Sequence, residues 1–272
     1  MASAEKAIFM TGSALSPKSD VDDIRLLIGG LLKQSKERAM KAKSTADLCK
    51  VDSALCRLLV SIRDSAISGV LVKSKVDRLI EFMHEKRMLI RCYTQIVNSV
   101  HALYTGQSKS DDRLAVVPLN GSLHRLCCLS CKSTEDWSEA YRELMLVKGM
   151  FPKCSVCSSH ADTNYGVLIP DIETFTNQKN FAELISHDLE QRPDIFVIVG
   201  TTLNSSSMNG LVRQICQEIN SYGGTIVYVN SSPPSSQVYE MIDYAVVAEN
   251  DAWVDDLSEL FPEKFPPEKI LG

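Results

Sequence analysis

The sequence has no uninterrupted apolar run of the about 18 residues that a membrane-spanning helix needs, and its N-terminus lacks a basic stretch followed by an apolar core. Neither a membrane span nor a secretory leader is readable, and the expected setting is intracellular. Positive charge is not in excess either: the formal net charge is -5. Phosphate affinity depends on clustered Lys and Arg that displace counterions, so no direct nucleic-acid binding is expected. What the chain does hold is apolar material, 44% of 272 residues, enough to bury a core in one large domain or in one large and one small.

The charge is unevenly placed. Residues 33–91 carry 14 basic and 7 acidic side chains, whereas residues 231–272 carry 2 basic and 9 acidic. The basic stretch could meet an acidic partner or the chain's own acidic end; two solvated faces of opposite sign is the simpler reading. Nine cysteines without a secretory leader read as thiols or metal ligands rather than as a disulfide framework. Cys128-Leu-Ser-Cys131 and Cys154-Ser-Val-Cys157 repeat one knuckle spacing across 22 intervening residues. Each knuckle turns two thiolates toward one tetrahedral ion, and four thiolates leave no position for water, so the expectation is structural zinc. Cys127 lacks the two-residue spacing, and Cys49, Cys56, Cys92 and Cys216 read as small core residues.

Short apolar runs at Ala7–Met10, Met88–Thr94, Leu114–Pro118, Asp194–Val199, Thr225–Val229 and Tyr244–Val247 read as strands. Helical periodicity falls at 209–222 and 252–261, a short helix is expected over 135–148, and 107–112 is the plainest loop. Residues 31–86 hold helical periodicity with few breakers and read as an all-helical insertion. Strands alternating with helices argue a doubly wound parallel sheet, whose ligands bind beyond the carboxyl ends of the strands.

Gly200-Thr201-Thr202 after an apolar strand, Leu119-Asn120-Gly121-Ser122 ahead of the paired knuckles, and Thr11-Gly12 through Asp23-Ile24-Arg25 occur in the order that resembles the sirtuin family of NAD-dependent deacylases. Val227-Tyr228-Val229-Asn230 and Asp251-Ala252-Trp253 extend the resemblance over about residues 7–261, and Thr201 to Asn230 resembles the fungal nuclear histone-deacetylase branch. The resemblance implies an α/β fold: a sirtuin-like Rossmann domain with a small zinc-ribbon and helical module. The domains would be 1–32, 92–125 and 162–272 for the Rossmann part, 33–91 for the helical insertion and 126–161 for the ribbon. It also implies cofactor contacts at Gly12, Asp23, Arg25, Gln95, Gly200, Thr201, Thr202 and Asn230, and peptide capture by strand addition along Gly166–Phe175.

The chain departs from the family pattern where the chemistry lies. Ala14 and Asp20 stand where the family has glycine beside the pyrophosphate, which disfavours phosphate binding and NAD with it. In Thr94-Gln95-Ile96-Val97-Asn98, Ile96 and Asn98 replace an Asn and an Asp that serve glycosidic cleavage in the family. Asn120 replaces the family's histidine base, and a carboxamide has no usable pKa near neutrality. His124 is a conceivable substitute, although its approach to the knuckle reads as structural. The expectation is therefore a catalytically inactive sirtuin-fold scaffold with no catalytic residue, zinc-stabilised, nuclear, and binding protein partners in a chromatin-associated complex. The alternatives are a deacylase or ADP-ribosyltransferase with residual activity, and a sensor that binds NAD or ADP-ribose without chemistry.

Overall fold

The computed structural model describes residues 5–15, 53–67, 73–96, 115–158, 166–171, 179–203 and 206–271. Nine strands form two sheets among these residues. The larger sheet takes β1 (Ala7–Thr11), β2 (Leu89–Thr94), β3 (Val116–Pro118), β7 (Ile195–Val199), β8 (Thr225–Asn230) and β9 (Tyr244–Val247) in the order β3-β2-β1-β7-β8-β9. Every pairing in it is parallel. β1 and β7 are buried at every position, as strands covered by helices on both faces must be. The chain works outward from β1 to one edge and returns at β7 to build the other, so the order reverses between these two neighbours. At such a switch point the connections diverge and leave a crevice at the carboxyl ends of the strands.

Two apolar layers cover the sheet. On one face α2 (Lys75–Glu85), α7 (Asn250–Leu260) and α8 (Pro267–Ile270) bury Val76, Leu79, Ile80, Trp253, Val254 and Ile270 against Phe9, Val197 and Val229. On the other, α5 (Lys179–Glu190) and α6 (Ser206–Ser221) bury Ile185, Val212, Ile215 and Ile219 against Met10, Ile198 and Tyr228. Ser74 starts α2 with a reciprocal cap: its hydroxyl accepts from the Asp77 amide and the Asp77 carboxylate accepts from the Ser74 amide.

The smaller sheet is antiparallel, β5-β4-β6, from β4 (Ser122–Cys128), β5 (Thr134–Asp136) and β6 (Leu168–Asp171). Around it lie α1 (Ser53–Ile67), α3 (Glu139–Val147) and the single turn α4 (Ser155–Ser158). The stretch read as one helical insertion divides by packing: α1 buries Leu55, Cys56, Leu59 and Val60 against the small sheet, whereas α2 belongs to the core of the large one. The boundary placed between residues 91 and 92 falls inside β2. The expected helix 135–148 is shorter than its pattern, because Thr134–Asp136 pair with Arg125–Cys127 and Ser138 caps α3 only afterwards. Gln107–Asp112 lie outside the described residues, as does Cys49.

The opposite charges of the two halves partly meet inside the molecule. The Lys75 ammonium contacts both Asp255 oxygens at 2.6 and 2.7 Å, and its amide donates to Asp251 at 2.9 Å. Among the described residues no helix is long and apolar enough to cross a membrane.

Candidate functional site

The residues singled out in the sequence collect at the carboxyl ends of the parallel strands. Gly12 follows β1, Gln95 follows β2, Leu119 and Asn120 follow β3, Gly200 to Leu203 follow β7, and Asn230 ends β8. Asp23 and Arg25 lie outside the described residues, as do Asp20 and Asn98. Thr202 is exposed, while Thr201, Gln95, Asn120 and Asn230 are buried.

Gly12 and Gly200 cross at the switch point. The Gly12 amide donates to Val199 O and the Ala14 amide to Gly200 O, both at 3.0 Å. A Cβ on Gly12 would stand 2.3 Å from the Gly200 carbonyl oxygen and 2.4 Å from Thr201 Cβ, which no side chain tolerates. Gly200 has φ +69 and lies over Leu15, so it combines a left-handed turn with a close approach. Ala14 is exposed, and it joins that crossing through its backbone amide.

The adjoining strand ends are linked by polar contacts. The Gln95 amide donates to Thr11 O at 2.8 Å and the Leu119 amide to Thr94 O at 2.7 Å. Thr201 Oγ1 donates to Gln95 Oε1 at 3.4 Å. Asn120 Nδ2 donates to Gln95 O at 2.9 Å, and no described residue donates to its Oδ1. This fixes the carboxamide with its acceptor unused, and the same holds for Asn230 Oδ1, whose Nδ2 donates to Tyr228 and Ser232. His124 sits on β4, its amide donating to Ser122 Oγ.

Two contributors had no role assigned from the sequence. Asn250, just before the noted Asp251-Ala252-Trp253, sends Nδ2 to Ala14 O at 3.4 Å and ties α7 to the turn after β1. Leu203 closes the loop after β7 with φ +55, its amide on Thr201 Oγ1. Two hydroxyl-bearing residues after a Gly at a strand end is the signal that points to such a loop.

In the small module the ligand atoms of Cys128, Cys131, Cys154 and Cys157 lie within 4.8 Å of one another. Two of the Sγ separations are 3.7 Å, Cys128 to Cys157 and Cys131 to Cys154, close to the ~3.8 Å edge of a tetrahedron with Zn–S bonds near 2.3 Å. They are far beyond disulfide length, and all four thiols are free. The four cysteines thus form a cluster that could hold a metal ion. A Cβ at Gly166 would stand 2.2 Å from Cys128 Sγ and 2.7 Å from Cys157 Sγ, so this glycine makes room for the cluster. The Ser133 hydroxyl at 3.0 Å lowers the Cys131 thiol to about 6 and favours the thiolate a metal requires. Burial pushes Cys128 up to about 12, a proton that metal binding would have to displace.

Comparison with known proteins identifies this arrangement. The Sir2 family profile matches residues 12–207. The NAD-dependent histone deacetylase HST3 of Candida albicans is 27% identical over 98% of this chain and 62% of its own length. That of Saccharomyces cerevisiae is 26% identical over 94% and 65%. The chain therefore spans less than two thirds of either relative. Among solved structures, a Sir2 homologue in complex with NAD superimposes over 97% of this chain and 92% of its own, with TM-score 0.60 at 15% identity. Sir2Af2 bound to a myristoylated histone peptide covers 96% and 94%, with TM-score 0.51 at 18% identity. Both share the fold.

These findings overturn the expectation of an inactive scaffold. Relatives aligned along nearly all of this chain are named NAD-dependent histone deacetylases, which points to an enzyme. The physical reason lies in what the substitutions remove. Losing a general base is a rate penalty of about 10²–10⁴, which leaves the crevice standing. The position that must be glycine at the strand crossing, residue 12, still is.

Proposed function

The chain belongs to the Sir2 family, and from that premise we propose that the crevice is the site of an NAD-dependent protein deacylase acting on acyl-lysine in a histone-type protein in the nucleus. The observation that carries this reading is the convergence of Gly12, Gln95, Asn120, Gly200, Thr201 and Asn230 on the switch point of a parallel sheet.

NAD, when bound, supplies the labile nicotinamide–ribose bond at which an acyl oxygen can add. The chain's own residues do the rest. Gly12 and Gly200 let the turns after β1 and β7 close on one another at the mouth of the crevice, where a Cβ on Gly12 would meet Gly200 O and one on Gly200 would meet Leu15. Asn230, whose Oδ1 takes no donor among the described residues, offers an acceptor to a ribose hydroxyl. Gln95, held by Thr11 and Thr201, defines the floor between β1 and β7. Asn120 stands at the position of the family's base with an acceptor that no described residue uses, so it orients a hydroxyl but cannot take its proton; that proton passes to water and the reaction is slow. The cysteine cluster holds zinc with a closed coordination sphere and serves the fold of the small module. The acylated partner is captured beside β6, which ends the small sheet among the described residues.

The test is nicotinamide release from NAD by purified protein with an acetyl-lysine histone peptide. The expected result is a slow rate that requires the peptide, raised about 10²-fold or more in Asn120→His, where imidazole supplies the missing acceptor of the proton. No peptide-dependent release from either form overturns the reading.

A further inference from the structure

β2 does not pair evenly with β1. Ala7 is opposite Leu89 but Ile8 is opposite Arg91, so Ile90 is an extra residue, a bulge in a parallel pair. Its effect on the faces is direct. Leu89 packs in the layer with α2 and α7, Ile90 in the layer with α5 and α6, and Arg91 reaches that same second layer, where it meets α5. After these two neighbours on one face, alternation resumes: Cys92 returns to the first layer and Tyr93 to the second. The parity of Thr94 and Gln95 is thus set at Ile90, because a slip of one residue turns every following side chain to the opposite face.

An ion pair sits at that point. Arg91 Nε and Nη2 each donate to Asp188 at 2.8 Å, and the Tyr93 hydroxyl donates to the same carboxylate at 2.5 Å. Arg91 is 4% exposed and Asp188 0%. Burial works against the Arg91 charge, but the hydrogen-bonded Asp188 carboxylate more than offsets it and raises its pKa. On α5, Asp188 occupies the apolar stripe of Phe181, Leu184, Ile185 and Leu189, where an aliphatic side chain would ordinarily sit. A buried pair of this kind is a poor source of stability, since apolar replacements of similar volume are often as stable or more so. What it supplies is a unique geometry: the two-pronged contact forms only if Arg91 and Tyr93 face α5 together.

We propose that the Arg91–Asp188–Tyr93 network is a register lock that holds the Ile90 bulge and thereby positions Gln95, and through it Asn120, at the crevice. The lock acts on the site from a distance of two to four residues, through the Gln95 amide on Thr11 O, the Leu119 amide on Thr94 O, and Asn120 Nδ2 on Gln95 O. Its catalytic consequence rests on the proposed deacylase reading; its structural consequence does not.

The test removes the whole network so that no charge is left buried and unpaired: Arg91→Met, Tyr93→Phe and Asp188→Leu in one full-length chain. Amide hydrogen exchange is then compared at Gln95 and Leu119, which report the β2 register, and at Gly200, whose amide is held by Val229 O on the far side of the sheet. The expected result is exchange at least 10-fold faster at Gln95 and Leu119 with Gly200 unchanged, and a matching drop in kcat for peptide-dependent nicotinamide release with little change in KM for the peptide. Unchanged protection at Gln95 and Leu119 overturns the lock. Absence of turnover in both the wild type and Asn120→His sinks the deacylase reading and leaves the exchange result to decide the lock by itself. Should the triple variant fail to fold, Arg91→Lys carries the test: it keeps the charge and loses the fork, so selective acceleration at the same two amides supports the lock and unchanged exchange overturns it.

Discussion

The thiols of the small module come from 30 residues of chain, Cys128 to Cys157, whereas the crevice draws on Gly12, Gln95, Asn120, Gly200 and Asn230, spread over 219. The apolar support differs as much. Around the cysteines the buried set is Leu126, Cys128, Cys154 and Leu168, so half of that small core consists of the ligands themselves. The crevice instead rests on strands buried between two continuous layers. With an ion bound, the end of the small module around the thiols would draw its stability from it, whereas the crevice stands on its own core and tolerates strained turns and unpaired acceptors.

Removing the metal should break the comparison most visibly. Chelation, or Cys154→Ser, is expected to release β4, β5 and β6 while the large sheet stays folded, because metal affinity in structural zinc sites, about 10–16 kcal/mol in isolated fingers, is folding energy. Hydrogen exchange across residues 122–171 against 195–230 reads this directly. Small-sheet amides that remain protected in chelator would show that the module stands on its own apolar contacts.

The same contrast explains what the sequence disclosed. The knuckles were legible because Cys-x-x-Cys is a local spacing, and the six strands of the large sheet because their apolar runs are short and bounded. The order of strands was implied only by the resemblance, since nothing in Ile195 to Val199 says that it lies beside β1. β5 escaped because Thr134, Glu135 and Asp136 carry no apolar alternation; their pairing comes from backbone contacts with β4. The allegiance of α2 was hidden because an apolar face at Val76, Leu79, Ile80 and Met83 fits either module equally well. Arg91 and Asp188 lie 97 positions apart, and a charged residue in an apolar stripe reads as an interruption until its partner is known. Asn120 shows the converse error: a carboxamide in place of a base speaks to rate alone, and inactivity was read from it.

A smaller effect should come from the crossing of β1 and β7. Gly200→Val places a β-branched residue at φ +69, a strain of about 1–3 kcal/mol, with its Cβ within 2.8 Å of Leu15 Cγ. The expected outcome is at least a 10-fold loss of ADP-ribose affinity by calorimetry while metal content stays at the wild-type value. Unaltered affinity would remove the Gly12–Gly200 crossing from the binding site; a parallel loss of metal would show that the two regions are not independent.

The finest distinction lies between the two sets of thiols. In the small module Ser133 lowers Cys131 to about 6, whereas burial among apolar side chains raises Cys216, on α6, from 9.0 to about 12. The folded state therefore holds the Cys216 proton more tightly than the unfolded chain does. That contribution to stability is complete below pH about 9, the unfolded value, and is lost as pH rises toward about 12. Cys216→Val keeps an apolar side chain of similar size without the proton, so its melting temperature should fall less steeply than wild type between pH 9 and 12 under reducing conditions, while the two curves run parallel below pH 8. Tyrosine ionisation acts on both proteins and cancels in the difference. Parallel curves through the alkaline range would mean that water reaches Cys216 Sγ in the folded protein, and that the layer under α6 is looser than the packing of Val212, Ile215 and Ile219 around it requires.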